Sequence, residues 1–172
     1  MVRRPAQTPP YAPLDSASTH AAGPETPTRV NEFLNYVRGT RTARLRLVAG
    51  YDEANDAMNF NGGANGNQTI VIPIGWRVDV SFLNKDADVR HSAVVVAAVK
   101  PMPLELPPPA FDHAATGQIE EGLADEETDT MSFVADRAGE FIIVCGVPGH
   151  AQGGEWIRLR VSSTATAPAY HL

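Results

Sequence analysis

The sequence predicts an all-β domain, built as a sandwich or a barrel. Its apolar residues fall in many short runs, and almost none of these runs shows the helical period of 3.6 residues. Clusters rich in glycine, asparagine or proline separate the runs, for example at residues 59–67 and 107–109. Short strands joined by turns of this kind are typical of sandwiches and barrels. The length of 172 residues suits one such domain with accessory segments.

The first half of the chain contains four candidate elements. Residues 31–37 fit either a short helix or a strand. Residues 43–48 alternate apolar and basic side chains, as a half-buried strand does. Residues 68–73 predict a short strand that a proline ends. The clearest strand covers residues 76–82, whose four apolar residues alternate with polar ones and therefore share one face.

The second half begins with the continuous Val/Ala run of residues 92–99, which predicts a strand buried on both faces or facing a second sheet. A long connection, residues 100–130, follows, with five prolines and then a solvated segment. The last three strands are predicted at residues 130–135, 140–145 and 155–161.

The N-terminal residues 1–28 hold six of the 14 prolines and no periodic pattern. They predict a flexible tail or linker, and residues 29–172 form the folded domain. No apolar segment follows the basic start, so no signal peptide is visible. Such a tail would join the domain to a lost signal peptide or membrane anchor, or it is a remnant added with the start methionine.

The net charge of −6 argues against a nucleic-acid-binding protein, which needs a basic face. Six of the acids lie in residues 120–129, which hold no basic residue. The simpler interpretation of this acidic stretch is a solvated loop. A functional interpretation is an electrostatic guide for a basic redox partner.

The candidate metal-binding residues are grouped around the only cysteine of the chain, Cys145. A single cysteine excludes an internal disulfide and any site with several cysteines. The loop after Cys145 is rich in glycine and can curl tightly, which would bring His150 and Glu155 close to the thiol. A second histidine, His91, lies just ahead of the Val/Ala run.

One thiolate and two imidazoles suit copper or zinc, and two His with one Cys and a weak axial ligand is the blue-copper arrangement. Taken singly, Cys145 would more often be a small core residue, and His91 would cap a strand. The remaining histidines, His20, His113 and His171, are expected to be solvated, and Met131 is expected in the core.

The stretch Cys145-Gly-Val-Pro-Gly-His-Ala resembles the copper-binding loop of the cupredoxins, and within them the sulfocyanin branch. The likeness extends to Arg29-Val-Asn-Glu-Phe-Leu, Val71-Ile-Pro-Ile-Gly-Trp and His91-Ser, and it covers about residues 29–162. The resemblance implies a Greek-key β-sandwich with one copper ion at one end. His91, Cys145 and His150 would be its ligands, with Ser92 beside the site.

The departure from that pattern is Glu155, because the family has methionine as a weak axial ligand there. Trp156 keeps the pattern, so the register is unchanged. An anionic oxygen ligand would favour Cu(II), lower the reduction potential and move the colour from blue towards green or red. Otherwise Glu155 turns to solvent or pairs with an arginine, and Gln152 is a minor rival as the axial donor.

The function implied is single-electron transfer outside the cytoplasm by a monomeric, exported or membrane-anchored carrier that is not an enzyme. Its partners would be redox proteins. Three alternatives remain open at this point: a copper site that binds a small molecule such as nitric oxide, a copper carrier or storage protein, and a structural zinc site.

Overall fold

The computed structural model describes residues 25–172, which form two five-stranded β-sheets and no helix. No helix able to span a membrane therefore occurs in this part of the chain. The ten strands are β1 (Thr28–Arg29), β2 (Leu34–Val37), β3 (Thr42–Ala49), β4 (Thr69–Pro73), β5 (Arg77–Asn84), β6 (Val94–Ala97), β7 (Thr128–Val134), β8 (Gly139–Val144), β9 (Trp156–Ser162) and β10 (Ala169–His171).

Each sheet is mixed, with one parallel pair among antiparallel ones. The first sheet has the order β1-β2-β3-β5-β7, and the second has the order β10-β4-β9-β8-β6. The parallel pairs are β3 with β5 and β4 with β9. The all-β sandwich that the sequence predicts is therefore confirmed, since the core cluster draws residues from both sheets.

The alternation in β5 sets the inner face of the first sheet. Val78, Val80 and Phe82 are all buried, while the residues between them face outward. In the second sheet, Val95 of β6 joins this central core, whereas Val94 and Val96 belong to a second apolar cluster on the other face. The prediction of burial on both faces is thus confirmed for residues 92–96, whereas residues 97–99 at the end of the run are exposed.

Residues of the long connection after β6 pack against that second cluster. Leu106 and Ile119 of the connection pack against the outer face of the second sheet, and Phe111 and Leu123 are buried in the main core. The segment after the prolines was expected to be solvated, and this is wrong for Phe111 and Leu123. The acids of the stretch 120–129 are mostly exposed, as expected. Sequence analysis did not identify these apolar residues as buried, because their spacing follows neither the helical period of 3.6 residues nor the strand period of two.

Two short strands, β1 and β10, were not predicted, and both are edge strands. The ambiguous segment 31–37 forms β2, because its backbone pairs with β3 in antiparallel register. The predicted tail, residues 1–28, lies mostly outside the described residues, and its boundary with the domain 29–172 stays a prediction.

Candidate metal centre

The candidate site lies at one edge of the second sheet. Strands β6, β8 and β9 are neighbours and antiparallel, so the start of β6, the end of β8 and the start of β9 meet there. His91 precedes β6, Cys145 directly follows β8, and Glu155 directly precedes β9. The loop between β8 and β9 supplies His150. Strand pairing therefore brings these distant residues together.

The side chains of these four residues converge on one point. One donor atom from each of them lies within 4.8 Å of all the others. Nδ1 of His150 is 3.5 Å from Sγ of Cys145 and 2.8 Å from Oε2 of Glu155. His91, Cys145 and Glu155 are fully buried, whereas 13% of the His150 side chain is exposed. Sequence analysis named these four residues, and the structure brings them together.

The carboxylate of Glu155 shows that the site fits a metal ion. Oε2 lies 2.9 Å from Nδ1 of His91. The other oxygen, Oε1, is 2.8 Å from the same Nδ1. Although Oε1 and Nδ1 are close, their geometry is not that of a hydrogen bond. Oε1 is therefore a buried acceptor without a partner among residues 25–172. An orphaned oxygen beside two ring nitrogens and a thiol is a metal-ligand set.

Ser92 contacts the sulfur of Cys145. The backbone amide of Ser92 donates to its Sγ at 3.4 Å, and Oγ of Ser92 lies 3.9 Å from the same sulfur. Ser92 therefore sits beside the site as the resemblance implies. Burial raises the pKa of the Cys145 thiol, and the negative charge of Glu155 raises it further. A cation must replace that proton before the thiolate can persist here.

His91 has a second carboxylate on its far side. Its Nε2 is 3.3 Å from Oδ2 of Asp86. Burial alone lowers the pKa of His91, but Glu155 and then Asp86 raise it above its ordinary value. Burial by itself raises the pKa of Asp86, yet the amide of Asp88, the His91 ring and the amide of Val89 hold it below its usual range.

Sequence analysis missed Asp86. The only available signal was its place in the turn Asn84-Lys-Asp-Ala-Asp-Val-Arg-His91, where asparagine and aspartate are common simply because they favour turns.

Hydrogen bonds hold the loop that carries His150 and Glu155, both within the loop and to a neighbouring loop. The amide of Glu155 donates to the carbonyl of His150 at 3.0 Å, and the amide of Cys145 donates to the carbonyl of Glu155 at 3.1 Å. From the Asn-rich segment 51–67, the amide of Asn65 donates to the carbonyl of Gly154 at 2.7 Å, and Nδ2 of Asn55 donates to the carbonyl of Gly153 at 2.9 Å. The position of Glu155 is therefore set by the backbone on both sides.

The remaining predictions concern residues outside the cluster. Gln152, the rival axial donor, is exposed and donates its amide N–H to the carbonyl of Pro103. His113 and His171 are exposed, and Met131 is buried in the core, as expected. His20 lies outside the described residues.

A groove of about 540 Å³ runs beside the cluster, between the loop that joins β8 to β9 and the proline-rich connection. Cys145 and Val147 line one wall, and Leu106 and the prolines 107–109 line the other. Glu105 and Glu120 are also in its lining. Cys145 is therefore among the residues that line a groove of apolar side chains and two acidic residues.

Comparison with known proteins agrees with this geometry. The sequence matches the sulfocyanin (SoxE) domain family over residues 29–172. A sulfocyanin from Sulfolobus acidocaldarius is 28% identical over 141 residues, which cover 77% of this chain and 70% of that protein.

Two solved structures share the fold. Dithionite-reduced auracyanin from Roseiflexus castenholzii has a TM-score of 0.51 and 19% identity, over 69% of this chain and 96% of that chain. Auracyanin A, a "blue" copper protein from Chloroflexus aurantiacus, has a TM-score of 0.51 and 18% identity, over 70% of this chain and 99% of that chain. These likenesses show that the sandwich is a cupredoxin fold. Since the family match spans most of the chain, the protein belongs to the sulfocyanin family of cupredoxins, and its four converging donors fit a metal ion.

Proposed function

We propose that this protein carries single electrons between redox proteins, with one copper ion held by His91, Cys145, His150 and Glu155. The observation that carries the proposal is the convergence of these four donors within 4.8 Å at the edge of the sandwich. Bound copper supplies a one-electron couple between Cu(I) and Cu(II).

The protein's own contribution is to hold the donors still. His91 and Cys145 adjoin buried strands, and Glu155 is fixed by backbone hydrogen bonds to the loop. Rigid donors keep a similar arrangement in both oxidation states, so little reorganises when the electron moves. The donor set is also complete, because the carboxylate takes the place that a small molecule would need. This favours an electron carrier over a site that binds nitric oxide.

Electron exchange would use the exposed end of the site. His150 is the donor residue with exposed surface, and the groove that Cys145 helps to line combines apolar side chains with two acidic residues. A redox partner with a basic rim around an apolar contact fits that surface. We further propose that the protein works as a monomer outside the cytoplasm, with residues 1–28 as the linker to a signal or anchor.

The test is copper loading of the apo protein and of the variant Cys145→Ala. We expect an intense thiolate-to-Cu(II) band in the parent and none in the variant, because the chain has no other thiol. Gln152→Ala is the matched control in the same loop and should keep the band. Colour that survives in Cys145→Ala would place the site elsewhere. A colourless, zinc-filled protein from the native host would favour the structural zinc alternative.

A further inference from the structure

We propose that Asp86 is a positioning residue for the metal centre: its carboxylate accepts the Nε2 proton of His91 and so leaves Nδ1 of that ring free for the metal. This inference rests on the proposed function, because it takes His91 as a copper ligand. Oδ2 of Asp86 lies 3.3 Å from Nε2 of the ring, which is fully buried, and 11% of the Asp86 side chain is exposed.

The two nitrogens of His91 face different carboxylates, and a metal ion bound at Nδ1 would leave the ring proton on Nε2, beside Asp86. A neutral imidazole carries one N–H and one lone pair. Nδ1 faces the donor cluster through Glu155, and Nε2 faces Asp86. When the metal takes the lone pair of Nδ1, the one remaining ring proton is on Nε2, where Asp86 accepts its hydrogen bond. A carboxylate behind a metal-binding histidine also fixes the ring orientation and raises its basicity.

Asp86 is itself held in place by backbone hydrogen bonds. Its Oδ1 accepts from the amides of Asp88 at 2.9 Å and Val89 at 3.1 Å, so Oδ2 is the oxygen that remains for His91. Its own amide donates to Oδ1 of Asn84 at 2.9 Å. Gly50, directly after β3, packs closely against Asp86, since a Cβ at Gly50 would lie 2.8 Å from the Asp86 Cβ.

The backbone of His91 is anchored to Leu123, in the long connection after β6, and the turn that holds Asp86 is bonded to the same residue. Its amide donates to the carbonyl of Leu123 at 3.1 Å, and the amide of Leu123 donates back at 2.7 Å. Nδ2 of the buried Asn84 donates to that same Leu123 carbonyl at 2.9 Å. The carboxylate and the histidine thus share one rigid frame, which is what a positioning contact requires.

The negative charge of Asp86 should also act on the redox couple. An anion behind the ring makes the imidazole a stronger donor and favours the more highly charged Cu(II) over Cu(I). Its effect has the same sign as that of Glu155. Removing the charge of Asp86 should therefore weaken Cu(II) binding more than Cu(I) binding and raise the reduction potential.

Asp86→Asn is the sharpest variant because it keeps the shape and the turn. Its single carbonyl oxygen would stay with the amides of Asp88 and Val89, which turns the NH₂ group towards His91. The ring would then favour a proton on Nδ1, in competition with the metal. We expect Cu(II) affinity to fall about 10- to 100-fold. Each tenfold loss that Cu(I) does not share raises the potential by about 59 mV.

Asp88→Asn is the matched control, since it removes an exposed charge of the same turn two residues away. We expect less than about a twofold change in its Cu(II) affinity, because exposed charges are largely screened. Unchanged affinity and potential in Asp86→Asn would overturn the proposal. Equal shifts in both variants would also overturn it, because they would show only a general effect of charge.

A measurement on the wild-type protein decides the matter even if Asp86→Asn fails to fold. Nitrogen-15 NMR of the diamagnetic Cu(I) form should show a proton on Nε2 of His91 that exchanges slowly with solvent. A ring without that proton overturns the role of Asp86 while the proposed function stands. Failure of the wild-type protein to develop a copper–thiolate band would overturn the proposed function itself.

Discussion

Glu155 is the residue that most sets the proposed copper site apart from a methionine-ligated one. Its side chain is fully buried, and its two oxygens lie between the Nδ1 atoms of His91 and His150. A buried anion at this place stabilises the doubly charged metal more than the singly charged one, since the interaction scales with charge in a poorly screened interior. The expected consequence is a low reduction potential for a cupredoxin.

The first prediction is that Glu155→Met raises the reduction potential and moves the spectrum towards blue. A neutral thioether is a weaker and softer axial donor, so Cu(I) gains relative to Cu(II). We expect a rise of at least about 59 mV, which is a tenfold change in the ratio of the two affinities. Direct electrochemistry and the visible spectrum of the loaded proteins measure both effects.

Glu155→Gln separates charge from shape in this series. It keeps an oxygen donor and loses the negative charge, so its potential should lie between those of the parent and Glu155→Met. Glu120→Gln is the control, because Glu120 is an exposed acid that lines the groove beside Cys145. If both Glu155 variants keep the parent's potential and spectrum, the carboxylate does not bind copper.

The sequence was informative about the donors for a local reason. Cys145, His150 and Glu155 lie in one glycine-rich loop, so their proximity follows from chain length alone. His91 was found through its place ahead of a buried strand and its resemblance to a family pattern. Asp86 was not found, because its contact with His91 depends on the conformation of the turn between β5 and β6, and that conformation is set by long-range hydrogen bonds such as that of Asn84 to Leu123.

At the scale of elements, the loop between β8 and β9 controls the geometry of the site. Gly154, directly before Glu155, has a φ of +97°, and a Cβ there would lie 2.5 Å from the Asn65 side chain. Gly149, directly before His150, has a φ of +91°, and a Cβ there would meet nothing within 4 Å. The two glycines therefore impose the same backbone demand in different surroundings.

The second prediction is that Gly154→Ala disturbs the metal centre and Gly149→Ala does so much less. Both variants incur the strain of a positive φ, which is about 1–3 kcal/mol of stability. Gly154→Ala additionally collides with Asn65 and must displace Glu155. We expect the larger loss of thermal stability and a shifted copper spectrum in Gly154→Ala. The same spectrum and the same melting temperature in both variants would show that the contact with Asn65 does not position the ligand.

The strands themselves were predictable to within about two residues wherever alternation or a continuous apolar run was present. β3, β5 and β9 show this most clearly. β1 and β10 escaped notice because they are two and three residues long and lie at sheet edges. The identity of β2 required knowledge of its partner, since only pairing with β3 decides between helix and strand for residues 31–37.

At the scale of the whole molecule, the metal centre should tie the second sheet together. Its donors adjoin β6, β8 and β9, so bound copper would cross-link three strand ends. The third prediction is a higher melting temperature for the copper-loaded protein than for the apo protein. A ligand at 1,000 times its dissociation constant adds about 4 kcal/mol when the unfolded chain does not bind it.

Calorimetry on both forms measures this shift, and Cys145→Ala is the control that should lose most of it. Identical melting curves of the parent with and without saturating copper would indicate adventitious binding.

The fourth prediction concerns the N-terminal residues. Deletion of residues 1–24 should leave copper binding and melting nearly unchanged, because a proline-rich stretch without periodicity has no apolar face to pack. Deletion through Arg29 also removes β1, which pairs with β2 at two positions, and should cost slightly more. A large loss of stability in the shorter deletion would show that these residues pack on the sandwich.

The most direct test of the central claim is a crystal structure of the copper-loaded protein with anomalous diffraction data at the copper absorption edge. The account predicts one strong peak per chain, placed among Nδ1 of His91, Sγ of Cys145, Nδ1 of His150 and a carboxylate oxygen of Glu155. A peak away from Cys145, or a carboxylate of Glu155 turned away from the metal, would contradict it.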